Sequence, residues 1–300
     1  MHGPADWADR AGRNPAALKA EEIKLKRILL SVEYDGTNYA GWQRQQNGLA
    51  VQQALEEALS RACGERITVT GSSRTDAGVH ALAQQVHFDT GCSIPPDKFP
   101  FVLNTMLPPG IRVHTGREVP GDFHARFLSC GKTYTYRILN RRHGSALYRN
   151  LCWHVPVPLD VSAMRESLPA LLGTHDFAAF QAAGGTAKTT VRTLDRAELR
   201  QEEARLTLIL SGNAFLYNMV RIIAGTLVEI GLHRLRPDAF TQALASGSRL
   251  DLGMTAPPQG LELTEVRYPA DAFTDPASLR WHQESGSGRS AGPFKTIPPD

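Results

Sequence analysis

Cysteine is scarce in this 300-residue sequence, and its four copies, Cys63, Cys92, Cys130 and Cys152, form no CxxC pair and no zinc-type spacing with histidine. That argues against the disulfide framework of a small secreted domain, and the four read as reduced thiols of a cytoplasmic protein. Long apolar runs are missing too. No stretch reaches the length of a membrane span, and the opening residues, MHGPADWADRAGRNPAALKAEEIKLKR, hold no apolar leader core. A strong excess of one charge is also absent. The formal net charge of +3 is too mild to establish a nucleic-acid partner, so any such partner depends on clustering of the basic residues. Cofactor signatures are lacking: no GxxxxGK, no GxGxxG between a strand and a helix, no HExxH and no EF-hand loop. An enzyme with this sequence is expected to work with side chains alone, without metal or nucleotide cofactor.

What is present suits a globular protein. Hydrophobic residues make up 42% and charged residues 21%, enough for a sizeable core, and the length suggests two domains or one with an elaborate second half. Residues 1–26 are polar and weakly periodic, the pattern of an extension. Order is expected from RILLSVEYDG, where Ile28, Leu30, Val32 and Tyr34 alternate as in a strand buried on one side. Val51, Ala54, Leu55, Ala58, Leu59 and Ala62 fall at helical spacing, and Gly64 stands where a glycine ends such a helix. Strands follow in RITVTGSSRTD and VHALAQQVHF, a proline-started helix over 95–107, and a strand in IRVHTGREV.

The pattern then begins again. KTYTYRILN reads as a strand, Val161, Met164, Leu168, Leu171 and Leu172 as a helix, and KTTVRTLDRAEL and RLTLILSGNAF as extended segments. A broad apolar stripe through Phe215, Met219, Ile222, Ile223, Leu227 and Ile230 predicts a further helix. Several connections are too short for parallel crossovers. The expected fold class is therefore α+β: two similar halves, 27–125 and 126–269, each a mainly antiparallel sheet backed by helices, with a cleft between them. The Gly-, Ser- and Pro-rich stretch over 270–300 reads as a disordered tail.

One segment invites a chemical reading. GSSRTDAGVHALAQQVHF places Asp76 at a tight turn, with Arg74 two positions away to favour its ionised form and Ala77-Gly78 leaving space above it. A surface ion pair in a loop would look the same. Tyr134 is either a stacking platform or core, since Tyr134, Tyr136 and Ile138 share one strand face. Arg221 interrupts an apolar stripe, where a charge is costly unless it is paired or reaches solvent. Arg44, Arg126 and the run Arg141, Arg142, His143 could grip phosphates, and Trp42 could stack on a base or pack inside. His80 and His87 raise metal or acid–base readings, and a structural hydrogen bond is expected for His80.

The signature around Asp76 resembles that of the TruA-type tRNA pseudouridine synthases, and further blocks resemble the family in family order. These are EYDGTNYAGWQRQ, DFHARF, KTYTYRILN, GTHDFAAF, NAFLYNMVRIIAGTLVEIG and APPQGLELTEVRY, covering about Arg27 to Tyr268. The resemblance implies a cofactor-free isomerase that turns uridine into pseudouridine in the anticodon stem-loop of tRNA, at nucleotides 38 to 40, and acts as a homodimer. It implies that Asp76 is the catalytic residue, attacking C6 of the base or C1′ of the sugar, or removing a sugar proton. It places Tyr134 against the target base, pairs Arg221 with Asp76 and puts Leu261 in the pocket lining. Two rivals are an RNA-binding module without catalysis and a hydrolase of glycosidic bonds, which needs a second carboxylate beside the first.

Overall fold

The computed structural model describes residues 25–274. The expected extension up to residue 24 and the expected tail beyond Thr274 lie outside the described residues. Ten strands make one sheet: β1 (Lys26–Tyr34), β2 (Thr70–Gly71), β3 (His80–Thr90), β4 (Ile111–Val119), β5 (Gly131–Asn140), β6 (Trp153–Val155), β7 (Gly173–Asp176), β8 (Val191–Glu202), β9 (Arg205–Gly212) and β10 (Leu261–Arg267). Among the described residues, five α-helices accompany them: α1 (Val51–Cys63), α2 (Phe99–Asn104), α3 (Val161–Ser167), α4 (Met219–Gly231) and α5 (Ala239–Ser246). The strand order is β4-β1-β3-β10-β5-β9-β8-β7, with β2 added to β3 and β6 to β5. The fold is α+β with a mainly antiparallel sheet, as expected. The parallel pairs are β3 with β10 and β5 with β6.

The two halves do not keep separate sheets. β10, formed near the end of the described chain, inserts between β3 of the first half and β5 of the second, antiparallel to β5 with Leu263 opposite Tyr134 and Leu261 opposite Tyr136. Its parallel pairing with β3 is confined to Glu262 with His80 and Leu263 with Ala81. Further along the same edge of β3, Gly71 of β2 pairs with Val86 and Thr70 with His87. The sheet therefore parts between β10 and β2, and the segment carrying Asp76 runs through the opening.

Local sequence explains most of the helices. α1 buries Val51, Ala54, Leu55, Ala58 and Leu59 and ends on Gly64, whose left-handed φ of 70° closes the last turn on the Ser60 carbonyl. α4 is buried on nearly every side, Arg221 and Glu229 being its two residues outside that set, so it is an interior helix rather than an amphipathic one. It starts at Met219 instead of Phe215 because Asn218 adopts a left-handed φ of 61°, which breaks the helical path upstream. The helix expected over 95–107 is shorter, a single 3-10 turn at Pro96–Lys98 followed by α2. Past Tyr268, Ala270–Phe273 forms one more turn whose Phe273 ring stacks on Phe123 and lies 3.7 Å from the Arg117 guanidinium. Packed structure thus continues four residues into the stretch read as a tail.

Candidate active site

Leaving β2, the chain loses its ladder partner, and the buried Gln84 side chain replaces it. Its Oε1 accepts from Ser72 Oγ (2.8 Å) and Ser73 N (3.2 Å), and its Nε2 donates to Ser73 O (2.7 Å). An extended segment without a neighbouring strand keeps its polar groups satisfied in this way. Thr75 is then pinned from two sides, its hydroxyl 2.8 Å from Tyr34 Oη and its carbonyl accepting from Trp42 N at 3.0 Å. A reverse turn follows at once: Val79 N donates to Asp76 O (3.1 Å), and Gly78, third in the turn, has φ 77°.

Two glycines of the 35–42 loop form the bed of this turn. Gly41 has φ 92°, and a side chain on it would come 2.6 Å from Thr75 O and 3.0 Å from the Asp76 carbonyl carbon. A side chain on Gly36 would run into the Val79 carbonyl. The backbone bearing Asp76 can approach so closely only because both positions lack a Cβ. Above the turn, the Pro258 ring sits 3.1 Å from where a Gly78 side chain would begin.

Asp76 is therefore held by a buried scaffold with its carboxylate 30% exposed. Oδ2 lies 3.2 Å from Arg221 Nη1, whereas Oδ1 has no hydrogen-bond partner among the described residues. Burial pushes the Asp76 carboxyl above its ordinary value, and the Arg221 charge and hydrogen bond oppose the rise. The result is a carboxylate more basic than a free aspartate, with one oxygen anchored and the other bare.

Arg221 is in turn held through two of its nitrogens: Nε donates to Ala256 O (2.8 Å), and Nη1 serves both Asn218 Oδ1 (2.8 Å) and Asp76. Tyr134 reaches the same region from β5, its hydroxyl 2.9 Å from Ser73 Oγ and its ring edge-to-face with Phe215 at 5.0 Å. Burial, with a contribution from the Asp76 charge, pushes its hydroxyl up to about 12, so it stays protonated at neutral pH. Leu261 opens β10 one residue before the Glu262–His80 pair and is buried. Asp76, Tyr134 and Arg221 thus converge where the sheet parts, and Leu261 lies at the start of the strand that borders the parting, opposite Tyr136.

Three sequence expectations need correcting. Arg74 does not pair with Asp76; it is exposed and makes no ion pair among the described residues, because the arginine facing Asp76 comes from α4, 145 residues along the chain. Trp42 offers no stacking face. It is 3% exposed, lies 6.1 Å from the Tyr34 ring, and would clash with any side chain on Gly71. Arg44 is turned toward α1, 3.3 Å from Glu56 and 3.7 Å from Glu57, so its charge is already matched.

The remaining basic residues have varied surroundings. Arg126 and Arg142 are exposed without ion pairs among the described residues, and Arg141 is bound to the carbonyls of His143 and Gly144 in its own loop. That loop touches the site: His80 Nε2 lies 2.8 Å from Asn150 O, while Gly36 N donates to His80 Nδ1 at 3.1 Å. The Asp35 carboxylate also lies 3.1 Å from Nδ1, but a nitrogen accepting from Gly36 cannot donate there at the same time, so this approach is not a hydrogen bond. Lys132, on the same strand face as Tyr134, has no ion-pair partner among the described residues. Burial and nearby Arg126 pull its ammonium down to about 8. Sequence reasoning passed over it because an isolated lysine in a strand carries no motif. It also passed over Gly36, Gly41, Asn218 and Ala256; the glycines of DGTNYAGW were the available signal.

Comparison with known proteins bears on this geometry. The sequence model of the tRNA pseudouridine synthase family matches residues 30–128 and 168–269. The chain belongs to that family. Members of the family are isomerases. Among its relatives, the tRNA pseudouridine synthase A of Thermoanaerobacter sp. (strain X514) is 43% identical over 244 residues, 81% of this chain and 100% of that protein. The tRNA pseudouridine synthase A of Acetivibrio thermocellus is 46% identical over the same coverage, and the tRNA pseudouridine synthase A 2 of Clostridium tetani 47% over 245 residues, 81% and 99%. The matched residues include both sides of the opening, with Asp76 in the first block and Arg221 and Leu261 in the second. Among the described residues, no helix is long and apolar enough to cross a membrane.

Proposed function

We propose that this synthase isomerises uridine to pseudouridine in the anticodon stem-loop of tRNA, at nucleotides 38 to 40, with Asp76 as nucleophile or base. The observation that carries the reading is the Asp76 carboxylate, one oxygen held by Arg221 and the other bare at the parting of the sheet. The reaction breaks the N1–C1′ bond and joins C1′ to C5; N1 gains a proton and C5 loses one, so no atoms or electrons are left over. Asp76 serves by adding to C6 of the ring, by adding to C1′, or by removing a sugar proton. A bare, partly desolvated carboxylate suits each of these roles.

A uridine inside a stem must leave the helix to reach Asp76, at a cost of a few kcal/mol. Stacking on an aromatic ring returns ~1–3 kcal/mol per base. In this reading Tyr134, 7% exposed and held by Ser73 and Phe215, stacks on the base once binding uncovers its ring face. Exposed Arg74, Arg126 and Arg142, together with Lys132, supply uncommitted positive charge for the phosphates. A homodimer belongs to the same reading, and would cover exposed apolar side chains such as Phe127 (75%) and Leu147 (85%).

The test is incubation of the purified protein with unmodified tRNA transcript and no additive, followed by chemical mapping of pseudouridine. The expected outcome is modification at nucleotides 38 to 40 by the wild type and none by Asp76→Asn, with tRNA binding retained. Full activity of Asp76→Asn would overturn the assignment.

A further inference from the structure

Asn218 stands directly before α4 and does not cap it. An asparagine preceding a helix ordinarily takes an extended conformation and accepts a hydrogen bond from a backbone N–H of the first turn. Here φ is 61° and ψ 6°, and the side chain caps no helix N–H. Its Oδ1 instead accepts from Arg221 Nη1 at 2.8 Å. The left-handed backbone and the forgone cap each carry a cost, and what they achieve is to present a carboxamide oxygen to one guanidinium nitrogen.

That nitrogen is the one facing Asp76. Nη1 has two protons, and its two acceptors are Asn218 Oδ1 and Asp76 Oδ2, so directing one proton at Asn218 directs the other at the carboxylate. Ala256 fixes the opposite side of the same arginine. Its carbonyl accepts from Arg221 Nε at 2.8 Å and its N–H donates to Arg221 O at 3.0 Å. The next residue, Pro257, accepts from the buried Tyr136 hydroxyl at 2.8 Å, so this support is tied to β5. Arg221 is gripped from two directions, and Asn218 is the grip on the catalytic side.

We infer that Asn218 is a positioning residue, which acts through Arg221 to hold the guanidinium on Asp76. The inference rests on the reading of Asp76 given under Proposed function. The groups facing Asp76 are Arg221 from α4 and Tyr134 from β5, while Arg74 of its own segment is exposed and His80 of β3 turns to Gly36 and Asn150. Arg221 itself faces Asp76 and Tyr136. Without Asn218 the guanidinium loses its aim, the burial of Asp76 is less opposed, and the carboxylate protonates at higher pH.

Asn218→Gly isolates the side chain, because glycine takes the left-handed backbone without strain. The expected result is an unchanged KM, kcat lower by about tenfold, and an acid limb of the kcat/KM profile moved up by about one pH unit, with a melting temperature lower than that of the wild type at pH 7 and close to it near pH 4. In an Arg221→Met background the same substitution should change kcat less than about twofold, since the group it acts through is gone. A wild-type profile for Asn218→Gly, a loss of kcat with the limb unmoved, or an equal loss in both backgrounds would each overturn the inference. Inactivity of the wild type toward tRNA would instead count against the proposed function.

Discussion

Replacing Arg221 with methionine removes the charge that faces Asp76 while leaving the apolar environment of α4 nearly filled. Two unit charges 3.2 Å apart attract by about 5 kcal/mol at an effective dielectric constant of about 20. The two side chains are 16% and 30% exposed, so solvent reduces that figure, and about 2–3 kcal/mol is a reasonable working value. At 1.36 kcal/mol per unit, this amounts to about two pKa units on Asp76. The sign is upward, because the burial that already raises this carboxyl is then unopposed. The acid limb of kcat/KM for pseudouridine formation should move up by about two pH units. Stability follows the same sign. A carboxyl whose folded pKa is raised adds stability that is complete below its unfolded pKa and lost as pH rises through the folded one. The variant should therefore be weaker than wild type in urea at pH 7, with the gap closing toward pH 4. An acid limb that stays in place, or moves down, would refute the view that Arg221 governs the charge of Asp76.

Two other outcomes follow from the same geometry. Trp42→Ala should cost about 3–5 kcal/mol of stability in a denaturant titration, because it empties a site packed against Tyr34 and Gly71; a variant of wild-type stability with weakened RNA binding would restore the stacking role. Burial, then the charges of Arg27 and His124, push His87 down to about 4, against about 6.5 unfolded. Its contribution is complete above the unfolded value and lost as pH falls from about 6.5 through 4, up to about 3 kcal/mol. His87→Gln should flatten that part of the stability–pH curve, and an unchanged slope would refute the shift.

What could be read in advance was what short-range pattern controls. The alternation in IRVHTGREV gives β4 its observed ends, and Gly64 closes α1 where expected, since both depend on neighbours within a few residues. The place of β10 could not be read this way. Its residues alternate like any strand, and nothing local says that they insert between two others formed more than a hundred residues earlier. The partner of Asp76 was hidden for the same reason. Arg74 was the arginine nearby in sequence, whereas Arg221 is the one nearby in space, and only the family resemblance suggested it. Trp42 and Tyr134 illustrate a different limit, since an aromatic side chain reads identically whether it packs or stacks. α5 was not read at all, being eight residues long and only moderately amphipathic.

The position of the site follows from how the two halves meet. Strand β3 accepts β10 over just Glu262–His80 and Leu263–Ala81, then takes β2 along the same edge at Val86 and His87. Two strands cannot share one edge without leaving a gap where the first departs and the second has yet to arrive. The residues that cross it, Ser73 to Asp76, have no strand beside them and depend on the Gln84 side chain, the Tyr34 hydroxyl and the glycine bed of the 35–42 loop. That loss of ladder bonding is what frees a carboxylate to face an opening instead of a neighbouring strand. The second half then reaches it through α4, β5 and the 256–260 connection, which contacts Arg221, Tyr136, Gly78 and His80 in succession. A charged group held this firmly at a break in an otherwise continuous sheet is costly for stability alone, and its arrangement is accounted for once Asp76 is given a reaction to perform.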